Sequence, residues 1–203
     1  MKKKTSLFVV AILLVTSLSK AQNLSFGPMA GVNFSNLSST NNTTSTKTGL
    51  TAGAFFNYSS KNWFGVGVQV LYNEMGAKLK NSTASINLNY LQVPVLFTYY
   101  FPGDNTAGSF RPKLFAGPHV DFLLSAKNQD GNDLNPDGRY YSSADFGVTL
   151  GGGFNYALSD QIWLNVDARY GVGLTDATKS TTTNSMNRSF GVNVGVSFPI
   201  GNL

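Results

Sequence analysis

The only histidine of the chain is His119, and Asp121 follows it two residues later. Side chains two positions apart in a β-strand share a face, so this pair could act as a general base beside a nucleophile such as Ser125. Ser125 is six residues from His119, which is roughly 20 Å at about 3.3 Å per residue in a strand. We therefore predict no catalytic residues and no enzyme, and a lipid-modifying enzyme that uses His119 stays as an alternative.

A second candidate for chemistry is the segment DLNPDG at residues 133–138. It matches the first half of a calcium-binding loop in four residues, Asp133, Asn135, Asp137 and Gly138. Position twelve of that pattern is Ala144, where calcium needs a bidentate glutamate. We predict no metal site and no cofactor, because phosphate-loop and zinc spacings are also absent from the sequence. Whether the predicted loop 127–141 binds calcium stays open.

Seven ionisable residues fall on the polar faces of predicted strands: Arg111, Lys113, His119, Asp121, Asp145, Asp167 and Arg169. Charges inside a narrow interior must be paired, because an isolated buried charge is costly. We therefore predict that the seven form a structural polar network in which they neutralise one another. Within this network we expect Asp167 and Arg169, two residues apart on one strand face, to form a local ion pair.

Eight segments of the chain have the alternation of β-strands, and the clearest is QIWLNVDARYGVG at residues 161–173. Apolar residues occupy one side of this segment and polar residues or glycines the other. The eight segments are residues 24–36, 49–58, 63–73, 86–101, 110–126, 145–158, 161–173 and 188–200. In the fourth segment the apolar phase shifts between Leu88 and Leu91, which predicts a β-bulge or an extended strand end there. No convincing helix lies between the segments, so the chain is all-β.

The connections between these segments alternate in length. Long ones occupy residues 37–47, 76–85, 127–141 and 175–187, and short ones occupy residues 59–62, 102–109 and 159–160. This layout is typical of an eight-stranded, antiparallel, up-and-down transmembrane barrel, in which short turns are periplasmic and long loops extracellular. Both termini would lie at the periplasmic side.

The apolar faces are predicted to contact lipid. Glycines gather on the polar faces, where a narrow barrel interior has little room, and charged residues are only 12% of the chain, against about 25% in soluble domains. Aromatic residues gather near the short turns, as an interfacial girdle requires: Tyr58, Phe64, Tyr99, Phe101, Tyr156 and Phe198. A soluble, secreted, lipocalin-like ligand-binding barrel would need the opposite arrangement and stays as an alternative.

The first 21 residues have the pattern of a secretory signal peptide: a basic start, a short apolar run and small residues at Ser19 and Ala21. We therefore predict that residues 22–203 form the barrel domain. Without the four lysines of the signal, 11 of the 15 basic residues remain against 10 acidic ones, so the net charge falls from +5 to about +1. This balance gives no reason to expect nucleic acid as a partner.

The chain resembles the PorT-type, porin-like outer-membrane β-barrels of the Bacteroidota. NYLQVPVLFTYYF at residues 89–101 is similar to the pattern YLEIPLLLKYYF, residues 146–176 are similar to that family's glycine-rich strand pair, and residues 26–37 to its first strand. The sequence departs at Gln92, where the family often has glutamate, and at Leu203, where a terminal aromatic residue is frequent. These motifs are structural, so the resemblance implies fold and location.

We therefore predict a non-enzymatic integral protein of the outer membrane. Its role would be to present surface loops or to serve as a membrane subunit of an envelope assembly. Its predicted partners are outer-membrane lipid and, in the role of an assembly subunit, other envelope proteins that contact the periplasmic turns; the sequence does not indicate an oligomeric state. Eight strands leave an interior only wide enough for side chains, so a conducting pore is not expected.

Overall fold

The computed structural model describes residues 24–39, 44–59, 63–80, 84–104, 106–179 and 185–200. The predicted signal peptide, residues 1–21, lies outside them. Eight long strands and one short strand follow one another along the chain. They are β1 (Leu24–Ser39), β2 (Thr44–Ser45), β3 (Lys47–Ser59), β4 (Phe64–Leu79), β5 (Ser85–Tyr100), β6 (Phe110–Asn128), β7 (Ala144–Ala157), β8 (Trp163–Gly173) and β9 (Ser185–Ile200).

The eight long strands form a closed antiparallel barrel. Each pairs with its neighbours in the chain, and β1 pairs with β9 to complete the circle. The short strand β2 pairs only with the end of β4. The predicted eight-stranded up-and-down topology is therefore confirmed. The barrel has a turn end, where β3 connects to β4, β5 to β6 and β7 to β8 and where β1 begins and β9 ends, and a long-loop end, where β1 connects to β3, β4 to β5, β6 to β7 and β8 to β9.

Several strands run further toward the long-loop end than the sequence predicted. β1 extends to Ser39 and β4 to Leu79, whereas apolar alternation ended near residues 36 and 73. The alternation marks only the part of a strand whose outer side chains contact an apolar medium. Beyond that part, the backbone hydrogen bonds continue without an apolar outer face.

The predicted bulge is present, but its extra residue belongs to the neighbouring strand. The register between β5 and β6 shifts between Asn89 and Tyr90, so that Leu124 of β6 has no partner. Strand β5 itself alternates without interruption and turns Leu88 inward. The apolar phase shift in the sequence arises because Leu88 packs inside the barrel and Leu91 faces outward.

The outer surface carries two belts of half-exposed aromatic side chains. The belt near the turn end contains Phe26, Tyr58, Phe64, Tyr99, Phe101, Tyr156 and Phe198, and the belt nearer the long-loop end contains Phe34, Tyr72, Phe122, Phe146, Tyr170 and Phe190. On three strands the two belts are eight residues apart, which is about 20 Å along the axis of a barrel whose strands tilt by about 40°. All six predicted girdle residues lie on the outside, and the spacing of the belts approaches the height of about 25 Å of the apolar band of an outer-membrane barrel.

Within the described residues, no helix is long and apolar enough to span a membrane. The helical segment that the structure describes there is the single 3₁₀ turn Pro136–Gly138.

Candidate functional site

Glycines of β7 allow large side chains of β6 and β8 to meet inside the barrel. Gly153 lies between Lys113 and Asp167 in the pairing of the three strands, and Gly151 lies between Phe115 and Arg169. A Cβ atom on Gly151 would lie 2.5 Å from the Phe115 ring, which no side chain tolerates. Glycine in the middle strand therefore lets the side chains of two non-adjacent strands contact each other across it.

Three of the seven predicted lumen residues form one ion-paired group. Lys113 Nζ lies 2.7 Å from Asp167 Oδ1, and Arg169 Nη2 lies 3.1 Å from Asp167 Oδ2. Arg169 also donates to Gln69 Oε1 on the far wall, at 2.7 Å, and its guanidinium lies over the Phe115 ring. We call Lys113, Asp167, Arg169 and Gln69 the ion-pair layer; its charged side chains are almost fully buried and cross the lumen.

Three more predicted residues lie nearer the long-loop end. His119 Nδ1 is 2.8 Å from Thr149 Oγ1, and His119 Nε2 is 3.5 Å from Asp121 Oδ2. Asp121 and Asp145 are direct cross-strand partners, each 2% exposed. Neither carboxylate forms an ion pair with lysine or arginine within the described residues. The seventh residue, Arg111, lies apart at the turn end, where its guanidinium stacks 4.7 Å from the centre of the Tyr100 ring.

Amide and hydroxyl side chains complete the interior. Asn187 Nδ2 donates to Asp145 Oδ2 and to the Tyr90 hydroxyl, at 3.2 and 3.1 Å. Asn73 donates to Gln92 Oε1 at 2.9 Å. Gln92 faces the lumen, and its side-chain oxygen accepts from the Asn73 amide. An uncharged residue therefore satisfies the hydrogen bonding at this position. Same-face alternation could have identified Gln92 from the sequence, but Asn187 lay in a segment predicted as loop.

An apolar cluster fills the lumen at the long-loop end, and the sequence did not predict it. Its buried members are Leu37, Met75, Ala77, Leu88, Tyr90, Ala126 and Ala177. Leu134 and Tyr141, from the connection between β6 and β7, pack against this cluster. The polar part of the interior therefore lies on the turn-end side of this cluster. At the long-loop end, the connections after β6 and after β8 fold inward and bury their apolar side chains over the mouth of the barrel.

The structure separates the residues of the catalytic alternative. The bulge in β6 lies between His119 and Ser125. Ser125 Oγ accepts from Asn89 Nδ2, whereas His119 contacts the hydroxyl of Thr149. The order Thr149, His119, Asp121 is that of a nucleophile, a base and a carboxylate, but the three side chains are at most 3% exposed. A substrate would have to pass either the apolar cluster or the ion-pair layer to reach them.

The calcium-like loop is organised by its own backbone amides. Asp133 Oδ1 accepts from the Asn135 amide at 2.8 Å, and Asn135 Oδ1 accepts from the amides of Tyr140 and Tyr141 at 2.9 Å. Asp137, with φ of 57°, points to Arg139 at 3.6 Å. Within the described part of the chain, no group of three or more His, Cys, Asp or Glu is arranged to hold a metal ion.

Comparison with known proteins identifies a family and a set of related barrels. The sequence model of the outer membrane protein beta-barrel domain matches residues 20–179. Neisserial surface protein A is 18% identical over 86% of this chain and 97% of its own, with a TM-score of 0.57. OprG of Pseudomonas aeruginosa is 14% identical over 89% and 98%, with a TM-score of 0.52, and the outer membrane enzyme PagL is 15% identical over 85% and 99%, with a TM-score of 0.49. These identities show the fold alone, and no curated protein matches the chain.

Proposed function

Because the chain belongs to the family of outer membrane protein beta-barrel domains and is an outer-membrane protein, we propose that it is a closed, non-enzymatic barrel that holds its long loops at the cell surface. The observation that carries this proposal is the filled lumen. The ion-pair layer crosses the interior from one wall to the other, and the apolar cluster closes the long-loop end. A barrel whose lumen is filled in this way serves as a rigid membrane anchor for its long loops.

The orientation is part of the proposal. Short turns and both termini lie in the periplasm and the long loops lie outside, as in other barrels of this layout. The loop between β6 and β7 supports a presenting role, because Asn135 ties its chain together and Leu134 and Tyr141 anchor it in the barrel. The PorT-type resemblance of residues 89–101 is also part of the proposal. It is compatible with envelope proteins that contact the turn end.

The barrel is proposed to have no enzymatic activity, because its one histidine is enclosed in the lumen. His119 is 3% exposed and its two ring nitrogens face Thr149 and Asp121. A lipid-modifying enzyme needs its base next to the acyl chains or sugars of the lipid, which lie outside the barrel wall. Lipid A extracted from cells that carry His119→Ala should therefore have the same mass spectrum as that from wild-type cells; a shifted acylation pattern would contradict the proposal.

The orientation is tested with single cysteines, since the natural sequence has none. Asp130→Cys lies in the exposed loop between β6 and β7, and Asp104→Cys is its matched control in the exposed turn between β5 and β6. A membrane-impermeant maleimide added to intact cells should label the first and spare the second. The reverse pattern would overturn the orientation.

The presenting role is tested with photo-crosslinking amino acids at the same two positions, followed by mass spectrometry. The proposal expects any specific protein to be trapped from position 130. A specific envelope protein trapped reproducibly from position 104 would replace it with a role as an assembly subunit. Purified barrel in a planar bilayer should also show no conductance steps, because the ion-pair layer and the apolar cluster both occupy the lumen.

A further inference from the structure

The ends of β4, β5 and β6 build a layered outer face above the aromatic belt. We call it the β4–β6 face. Its lowest row is Tyr72, Leu91 and Phe122, which pair across the three strands. The next row is Glu74, Asn89 and Ser125, and the rows above it contain Asn87 beside Lys127 and Ser85 beside Lys78. Apolar side chains, then a polar row that includes the carboxylate of Glu74, and then rows with cationic side chains thus follow one another toward the long-loop end.

The height of the two lysines corresponds to a lipid headgroup zone. Lys78 and Lys127 lie six and five residues beyond the aromatic residues of their own strands, Tyr72 and Phe122. At about 3.3 Å per residue and a tilt of about 40°, their Cα atoms are roughly 10–15 Å above that belt. A phospholipid headgroup layer is only about 5–8 Å thick. A headgroup that carries sugars reaches this height without requiring the lysine side chains to bend back.

The face has an excess of positive charge. Both Lys78 and Lys127 are exposed on the outside of the barrel, and within the described residues neither forms an ion pair. Lys80 follows at the end of β4. Two acidic residues lie beside the lysines. The Glu74 carboxylate accepts from the Leu50 amide at 3.2 Å and is near Lys47, and Asp133, directly opposite Lys127 in a backbone bridge, accepts with Oδ1 from the Asn135 amide at 2.8 Å. Lys78 and Lys127 are therefore the two cations that this face offers to an external anion.

The asparagines between the belt and the lysines offer uncharged acceptors. Asn87 donates its amide to the Asn128 carbonyl at 3.1 Å, and Asn89 donates to Ser125 Oγ at 3.1 Å. Both asparagines are thereby held with their side-chain carbonyl oxygens available. Carbonyl oxygens accept from sugar hydroxyls, and lysine ammonium groups bind phosphate as point charges.

We propose that the β4–β6 face binds the headgroup of a phosphorylated glycolipid of the outer leaflet. Its acyl chains contact the aromatic belt, its sugars contact Asn87 and Asn89, and its phosphates contact Lys78 and Lys127. The location in the outer leaflet rests on the orientation given under Proposed function. The chemistry of the face does not depend on that orientation, so the two can be tested separately.

The test compares lipid adducts on purified barrel by native mass spectrometry in a neutral detergent, with diphosphorylated lipid A as the probe. The variant Lys78→Gln/Lys127→Gln removes both cations and keeps the side-chain length. Near a membrane surface each lysine contributes about fivefold in affinity, so the pair should weaken binding on the order of 25-fold. Lipid A without phosphates should bind wild type and variant equally.

The matched control is Arg139→Gln/Lys179→Gln, which removes the same charge from the exposed loops. It should retain wild-type binding. Equal weakening in the control, or unchanged binding by the lysine variant, would overturn the proposal, and so would displacement of lipid A by millimolar inorganic phosphate. The cysteine labelling described above reports the orientation independently: if it fails while the lysines still bind lipid A, only the choice of leaflet is wrong.

Discussion

Removing Asp167 tests whether the ion-pair layer supports the barrel. Asp167 is 3% exposed and is the carboxylate that contacts both Lys113, at 2.7 Å, and Arg169, at 3.1 Å. Asp167→Asn keeps the shape of the side chain but leaves two buried cations without an anion. Breaking a buried pair in this way costs about 3–5 kcal/mol, so we expect the free energy of unfolding to fall by about that amount.

The matched control is Asp137→Asn in the exposed pair with Arg139. That pair is 3.6 Å long with both side chains at least 74% exposed, and exposed pairs contribute about 0–1 kcal/mol. Asparagine also tolerates the positive φ of residue 137. The two variants change charge equally, so the difference between them isolates burial.

A second variant distinguishes loss of charge balance from simple damage to packing. Lys113→Met/Asp167→Asn removes one cation with the anion, leaving Arg169 with its hydrogen bond to Gln69. It should be more stable than Asp167→Asn alone, with a coupling of about 0.5–3 kcal/mol between the two sites.

The assay is equilibrium unfolding in urea of the barrel in lipid vesicles, followed by the fluorescence of Trp63 and Trp163. An Asp167→Asn variant no less stable than Asp137→Asn would refute the reasoning. So would a double variant less stable than the single one, because buried charge would then not be the quantity that matters.

Two further changes test the packing of β7 and the loop after β8. Gly151→Ala places a Cβ against the Ala168 carbonyl oxygen and the Phe115 ring and should lower stability in the same urea assay by about 1–3 kcal/mol. Gly152→Ala, whose Cβ would lie 3.0 Å from the end of the Leu114 side chain and 3.4 Å from the Lys113 carbonyl oxygen, is the milder control, and equal losses would contradict the packing argument. In the loop, slight burial opposes ionisation of Asp176, but hydrogen bonds from the amides of Ser185 and Thr178 and from the Thr178 hydroxyl lower its pKa below the ordinary value. A lowered pKa contributes stability above the ordinary aspartate pKa of about 4 that is lost as pH falls through the folded-state value. Amide exchange at Thr178 and Ser185 should therefore accelerate below about pH 4 beyond the intrinsic pH effect, and Asp176→Asn, which keeps an acceptor but cannot ionise, should remove that excess; an excess that persists in the variant would exclude Asp176 as its cause.

The fold could be read from the sequence because a barrel wall has a simple period. Every second residue of Trp163–Gly173 faces the lumen in the structure, as the alternation of that segment predicts. Connection lengths then set the order of the strands, because short turns allow only adjacent antiparallel pairing. The same alternation placed all seven lumen residues inside the wall, since side-chain direction depends on local backbone geometry alone.

Strand ends were predicted less well, because the outer side chains change from apolar to polar along a strand while the backbone pairing continues. Up to Tyr72 the outer face of β4 is apolar, and beyond it the strand continues to Leu79 with Glu74 and Lys78 outside. Backbone pairing with β5 keeps this part extended. A pattern based on hydrophobicity has no signal for a strand that is hydrogen-bonded but surrounded by water.

The sequence alone therefore determined the class of the molecule, the strand order and which polar side chains of the alternating segments point inward, all of which follow from local periodicity. Which inward side chains meet depended on register and curvature, which are properties of the closed barrel. Lys113 reaches Asp167 because Gly153 lies between them, and Asp121 faces Asp145 because β6 and β7 pair at that residue. The apolar cluster likewise forms only when Leu134 and Ala177, more than forty residues apart in sequence, fold over Leu88.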